Sequence, residues 1–262
     1  MKSTIVESSV YYSKQKLESK NQELRQYFIA RHKYLVYKRG MDIASSLLVI
    51  LLVFPWLFPL LMILIRLDSR GNVFFKQKRI GFLGKTFWCY KFRTMYLNDA
   101  ADSLQAIKDD PRVTRIGKLL RSTGIDELPQ FFNVLTGDMS IVGPRPHMLK
   151  DSREFSRVVD NYKLRNLVRP GITGMSQIRG WRGPASTFQC IFRRYQWDAY
   201  YVRNINFSLD LKIMAGTGWL MLRSLLLKDE PLPDETAVYD HPVEHQTDHP
   251  AVLIHSNKII AD

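Results

Sequence analysis

The sequence predicts a membrane-associated α/β protein: one compact domain with a proline-broken re-entrant membrane helix, short strands and amphipathic surface helices. Three observations lead there. Residues Ile43–Ile65 form a 23-residue run without a charge, long enough as a helix to reach about 34 Å. Basic residues flank that run on both sides, and two prolines sit near its middle. Beyond residue 70, short aromatic and β-branched runs between glycines give way to stretches of helical period. No repeat and no linker divides this part. The chain therefore reads as a soluble helical N-terminal extension (1–37), a re-entrant anchor (38–70), a principal domain (71–228) and an acidic tail (229–262).

Residues 14–39 are polar and helix-friendly, with Leu17, Leu24, Phe28 and Leu35 at roughly helical spacing. The apolar run starts some forty residues in, too far along for a cleaved signal peptide. Arg31, Lys33, Lys38 and Arg39 precede it, and Arg66, Arg70, Lys76, Lys78, Arg79 and Lys85 follow. The positive-inside rule draws both ends to the cytoplasm, which one straight helix cannot satisfy. Pro55 and Pro59 each remove a backbone donor. A helix bent there could enter the lipid and leave by the same face.

Strands are expected at 72–75 and 86–90, and helices at 96–108, 112–120, 125–135, 187–202 and 209–227. Residues 169–174 read as loop. The last helix carries Leu211, Ile213, Met214, Trp219, Leu220 and Met221 nearly all round, so it is either buried or lies on the bilayer. Four prolines make the tail after Lys228 extended or irregular.

Charge narrows the partners. The formal net charge is +13, and the tail from Asp229 holds 8 acidic residues against Lys258 alone, so residues 1–228 carry +20. Such a surface suits phosphate-rich partners: membrane lipids or a nucleotide. Nucleic acid fits poorly, without zinc-finger spacing or an RGG tract, and no GxGxxG supports a dinucleotide. Cys89 and Cys190 read as plain buried residues, and the scattered histidines give no zinc pattern.

The chemistry concentrates in Asp126-Glu127-Leu128-Pro129-Gln130-Phe131-Phe132-Asn133. In a helical frame Ile125, Leu128, Phe132 and Leu135 make a buried stripe, while Asp126, Gln130 and Asn133 share a second face open to a pocket. Pro129 places the acids near a helix start, where carboxylates are ordinary for dipole reasons. The cations around them are less ordinary. Arg112, Arg115, Lys118 and Arg121 recur every three residues, and Arg145 sits between the stiffening prolines of Gly143-Pro144-Arg145-Pro146. Arginine forks beside carboxylates suit phosphoryl chemistry.

The segments KFRTM (Lys91–Met95), DPRVTRIGKLLR (Asp110–Arg121), DELPQFFNVLTGDMSIVGPRP (Asp126–Pro146), RPGITG (Arg169–Gly174) and YYVRNINFSLDLKI (Tyr200–Ile213) resemble the bacterial sugar transferases, the monotopic polyprenyl-phosphate phosphoglycosyl transferases. The likeness runs from about Lys38 to Gly218. It implies an enzyme on the cytoplasmic face of the bacterial inner membrane. Such an enzyme moves a hexose-1-phosphate from a UDP-sugar to undecaprenyl phosphate, in the first step of surface polysaccharide assembly. By this resemblance Asp126 attacks the β-phosphorus and expels UMP, Glu127 binds Mg²⁺, and Asp198 lies near the metal. Arg121 and Arg145 hold phosphates, and Arg112, Arg115, Lys91 and Arg93 are further candidates for them. Arg169, Gln177, Trp181 and Arg182 are candidates for the sugar or nucleotide. The competing reading is a non-catalytic membrane-surface scaffold or lipid-binding protein of the same descent. The family's bend often has serine before its proline, where this chain has Phe54. The long ends and aromatic helices are compatible with two subunits.

Overall fold

The computed structural model describes residues 2–98, 104, 106, 107, 110–181, 183 and 187–226, with side chains from Gln22 onward apart from Leu225. The acidic tail, Arg182 and most of the stretch between Asp99 and Asp109 lie outside these residues. Of the helix expected at 96–108, the described positions 96–98, 104, 106 and 107 are not helical.

Helix α1 runs unbroken over Lys2–Leu52, so the N-terminal extension and the first half of the anchor are one rod. Helix α2 covers Phe54–Asp68, and the segments Gln22–Leu52 and Phe54–Asp68 meet at 65°. Among the described residues no single helix is long and apolar enough to cross a membrane; this bent pair is, by length and composition. The bend falls at Val53. Pro55 occupies the first turn of α2, where its missing donor is tolerated, whereas Pro59 sits inside α2 without ending it. The indole of Trp56 donates to the Leu52 carbonyl at 2.8 Å. A ring N–H thus serves a carbonyl at the bend.

One side of α2 is built to be buried. Phe54, Phe58, Leu61 and Ile65 recur at helical spacing and pack with Val73, Phe92 and Leu120. The opposite side of the bent pair exposes Leu47, Leu48, Leu51, Leu52, Trp56, Leu60, Ile63 and Leu67. So much contiguous apolar surface marks a lipid-facing or partner-facing patch rather than ordinary scatter.

Strands β1 (Phe74–Ile80) and β2 (Thr86–Phe92) pair antiparallel with Lys78 opposite Trp88. Both run longer than their aromatic runs suggest, because pairing carries the polar Lys76, Gln77 and Lys78 into the ladder. Helix α3 spans Arg115–Thr123, three residues later than expected. Thr114 caps it by accepting from the Gly117 amide. A 3₁₀ turn (Ile125–Glu127) and helix α4 (Gln130–Thr136) replace the single helix expected at 125–135. Strand β3 (Ser140–Val142) precedes helix α5 (Leu149–Val158) and a 3₁₀ turn over Tyr162–Leu167. Strand β4 (Gly171–Thr173) pairs parallel with β3, although its residues read as loop. Helices α6 (Met175–Ile178), α7 (Phe188–Asn204) and α8 (Phe207–Leu226) complete the described chain. Cys89 and Cys190 are free and buried.

The part of α1 before the apolar run is not a loose extension. Its Tyr27, Tyr34 and Leu35 pack against a core of Val142, Val168, Met175, Tyr201, Val202, Ile205 and Ile213. Three of the flanking basic residues are engaged by the rest of the protein. Arg31 donates to the Arg203 carbonyl, Arg39 to the carbonyls of Val134 and Leu135, and Lys38 pairs with buried Asp210 at 2.5 Å. Helix α8 buries Ile213 and leaves Leu211, Met214, Trp219, Leu222 and Leu226 exposed, as a surface-lying helix requires.

Candidate functional site

The acid pair is placed by the elements around it. Helix α3 ends at Gly124, whose φ of +75° reverses the chain in a conformation that glycine adopts without strain. Asp126 and Glu127 follow immediately in the 3₁₀ turn. Helix α4 then fastens that turn to the hairpin. The Asn133 side chain donates to the Trp88 carbonyl at 2.7 Å and accepts from the Tyr90 amide at 3.0 Å, stitching α4 to β2. Arg39 and Arg169 cap the other end of α4, on the carbonyls of Val134, Leu135 and Gly137. Asn133 and Gln130, expected to face a pocket, are therefore buried, and Phe132, expected inside, is exposed. The break at Pro129 rotates the second half of the segment away from the helical frame of the first.

From β2, Lys91 reaches the Glu127 carboxylate at 2.7 Å. Arg145 meets the same carboxylate with both forks, Nη2 to Oε1 at 2.7 Å and Nη1 to Oε2 at 3.2 Å. Asp126 is 8 % exposed, and among the described residues its carboxylate makes no hydrogen bond or ion pair. Arg121 stands near it with its Nε on the Thr94 hydroxyl at 2.8 Å. The side chains of Lys91 and Arg145 keep 18 % and 22 % exposure against 7 % for Glu127. The mouth of the site is thus cationic, with the acids behind.

The two acids are pushed in opposite directions. Burial raises the Asp126 carboxyl above the usual range, with Lys91 opposing and the charge of Glu127 adding to the shift. Burial would raise Glu127 as well, but Arg145 and Lys91 hold it well below the usual range. Glu127 raises Arg145 in return. Burial lowers Arg121, an effect that Asp126 partly offsets. One acid is a fixed counter-charge; the other is bare and more basic. A divergent pair of this kind is a common mark of a reactive centre.

The bacterial sugar transferase family profile matches residues 33–224. The chain belongs to that family. It is similar to a UDP-glucose:undecaprenyl-phosphate glucose-1-phosphate transferase of Klebsiella pneumoniae, 45% identical over 184 residues, which cover 70% of this chain and 39% of that one. A Rhizobium leguminosarum bv. phaseoli exopolysaccharide production protein is 45% identical over 188 residues, 70% of this chain and 94% of that one. A UDP-N-acetylgalactosamine-undecaprenyl-phosphate N-acetylgalactosaminephosphotransferase of Aeromonas hydrophila is 42% identical over 189 residues, 70% of this chain and 43% of that one. The chain thus spans about two-fifths of the length of the Klebsiella and Aeromonas relatives it matches.

In this bacterial sugar transferase the structure brings together Asp126, Glu127, Lys91, Arg121 and Arg145 among the residues singled out by sequence. Others it employs elsewhere. Arg93 closes the end of α2, donating to the Ser69 carbonyl at 2.6 Å and its hydroxyl at 3.0 Å. Arg112 forms a fork with Asp110, the nearest contact at 2.6 Å. Arg115 is exposed in the first turn of α3. Besides capping Gly137, the Arg169 guanidinium lies over the Phe82 ring. Gln177 donates to the Ile172 carbonyl, and Trp181 lies half-buried in the turn after α6.

Asp198, expected at a metal, has both oxygens occupied. Oδ2 accepts from Arg165 at 2.7 and 3.1 Å, and Oδ1 from Ser176 at 2.9 Å. Among the described residues no group of three or more His, Cys, Asp or Glu could hold an ion by itself. Glu127 is occupied as well, Oε1 by Lys91 and Arg145 and Oε2 by Arg145, so it could take Mg²⁺ shared with phosphate oxygens and water only through the less crowded Oε2. It is held ionised, and its Oε2 accepts only the 3.2 Å bond. Sequence reasoning missed Arg165 and Arg194, both buried, the first bonded to Asp198 and to the Arg145 carbonyl and the second to the Gly183 carbonyl. Neither lies in a charge cluster that a linear reading would mark.

Proposed function

We propose that this chain transfers a hexose-1-phosphate from a UDP-sugar to undecaprenyl phosphate through a covalent intermediate on Asp126, at the cytoplasmic face of the bacterial inner membrane. The observation that carries this reading is the bare, buried Asp126 carboxylate beside a neighbour neutralised by Arg145 and Lys91. A largely buried carboxylate without a protein hydrogen bond keeps its lone pairs available, and a raised pKa makes it more nucleophilic.

One Asp126 oxygen forms a bond to the β-phosphorus while the bridging P–O bond breaks and UMP departs with the electron pair. An oxygen of the lipid phosphate then attacks the same phosphorus, the acyl–phosphate bond breaks, and Asp126 is released as carboxylate. Two short displacements replace one difficult one. Lys91, Arg121 and Arg145 offset phosphate charge as it shifts toward the leaving oxygen. Mg²⁺ held by Glu127 with phosphate oxygens would neutralise further charge on the diphosphate. The names of the Klebsiella and Aeromonas relatives support the UDP-sugar and the lipid acceptor; because those two differ in sugar, the reading stops at a hexose. The exposed leucines of the bent helix pair support entry into one leaflet, with both flanks on one side.

The test is a screen of UDP-sugars with undecaprenyl phosphate and Mg²⁺ in detergent. Release of UMP is expected, and with the lipid phosphate left out β-phosphate label should be retained on the wild-type chain but absent from Asp126→Asn. Release of UDP, or label surviving in that variant, would overturn the reading. Single cysteines in Glu23→Cys and Arg70→Cys variants should label from the same side of intact vesicles; opposite sides would replace the re-entrant arrangement with a spanning one.

A further inference from the structure

The loop that presents Arg145 is held by its own backbone. Four successive carbonyls each accept a bond from outside the loop: Pro144 from the Gly171 amide at 3.0 Å, Arg145 from Arg165 Nη2 at 2.6 Å, Pro146 from Arg79 Nη1 at 3.0 Å, and His147 from the Ile80 amide at 3.0 Å. At its start the Gly143 amide donates to the Thr173 carbonyl at 2.8 Å. A Cβ on Gly143 would strike the Arg169 carbonyl and the Gly171 backbone, so the loop lies flush against the chain leading into β4. The bonds to Pro144 and His147 come from main chain. The bond to Arg145 itself depends on one buried side chain.

That side chain is Arg165, and its geometry is set by Asp198. Nε and Nη2 fork onto Asp198 Oδ2 at 3.1 and 2.7 Å, and the same Nη2 reaches the Arg145 carbonyl. Ser176 fixes the other carboxylate oxygen. The pair is nearly sealed, with side-chain exposures of 4 % and 1 %. A planar guanidinium between a carboxylate and a carbonyl has one orientation that serves both; an ammonium does not reproduce it. Removing either partner would leave an uncompensated buried charge.

We infer that Asp198 and Arg165 are a positioning pair. Together they hold the Arg145 backbone, and so set where its guanidinium meets the Glu127 carboxylate and the diphosphate of a UDP-sugar. Neither touches the reacting atoms. This inference rests on the proposed transfer reaction for its kinetic consequence but not for its structural one. A misplacement of the guanidinium by about 1 Å is enough to cost about a hundredfold in rate.

The full-length chain is compared with Asp198→Asn, Arg165→Lys and Glu127→Gln, using UDP-glucose, undecaprenyl phosphate and a titration of MgCl₂. Asp198→Asn and Arg165→Lys are expected to lower kcat/KM by about 10–100-fold, chiefly through KM. The Mg²⁺ concentration for half-activity should move far less than it does in Glu127→Gln, which removes the proposed ligand itself. Hydrogen exchange at the amides of Gly143, Arg145, His147 and Met148 should accelerate in both variants, with α8 unchanged. Arg165→Lys keeps a cation beside Asp198, so it decides the matter should Asp198→Asn fail to fold. A Mg²⁺ shift in Asp198→Asn equal to that of Glu127→Gln would make Asp198 a metal ligand and overturn the inference. Unaltered exchange in the loop would overturn it too. The exchange readout needs no substrate, so a wild-type chain that releases no UMP from any UDP-sugar of the screen would defeat the transfer reading while leaving the pair to be judged.

Discussion

Asp210, at the junction of α1 with α8, accepts hydrogen bonds from Lys38, Tyr34 and Tyr201, and Asp126, in the turn before α4, accepts none among the described residues. Both carboxylates are buried. Interiors ordinarily satisfy such groups, because an unpaired buried acid costs free energy. At Asp210 the chain follows that rule, and the result is a fixed joint between the anchor helix and the domain. At Asp126 it breaks the rule while surrounding the residue with Lys91, Arg121 and Arg145. A satisfied acid adds to stability and an unsatisfied one subtracts from it, the pattern expected if Asp126 carries the proposed reaction.

Substitution can break this contrast at either end. The largest effect is expected from Asp126→Asn on turnover, a fall of roughly 10⁴-fold or more in UMP release. Wild-type activity should also rise with pH through a midpoint above the ordinary aspartate value, since burial raises the carboxyl that must ionise. An initial-rate profile read by UMP release checks both. Next comes Asp210→Asn, which strands Lys38 in the interior and should lower unfolding stability by about 3–5 kcal/mol, measurable by urea denaturation in detergent.

Asp126→Asn should act on stability in the opposite sense. The folded carboxyl titrates higher than the unfolded one, so the wild-type chain loses stability as pH climbs from the unfolded value through the raised folded value. At neutral pH the amide variant is then expected to be more stable by about 1–3 kcal/mol, with the advantage vanishing below the ordinary aspartate range. Melting curves at acidic and neutral pH test the sign. The smallest effect belongs to Trp56→Phe, which removes the N–H on the Leu52 carbonyl at the bend. It should cost about 0.5–1.5 kcal/mol and leave UMP release by detergent-solubilised protein near the wild-type rate.

Much of the architecture is legible in the linear pattern. The charge-free run, its two prolines and the aromatic strands each depend on neighbours within a few residues. So does the acid pair, which chain order sets beside the glycine that ends α3. Less legible are elements built from pairing. Strand β4 reads as loop because Gly171–Thr173 is too short to show a period, and it exists only because β3 lies alongside. The arginines show the same limit. Arg93, Arg112, Arg145 and Arg169 are alike in sequence, yet one ends a helix, one folds onto Asp110, one meets Glu127 and one caps α4. A long cationic side chain is assigned its task by whichever acceptor lies within its reach.

The sequence by itself determined the class of molecule and singled out its acid pair, since hydropathy, proline chemistry and motif order are properties of the chain read in line. Only the tertiary structure decided that Asp126 is bare while Asp198 is occupied. Whether a carboxylate is free depends on which donors folding brings to within about 3 Å, and those donors come from residues tens of positions away.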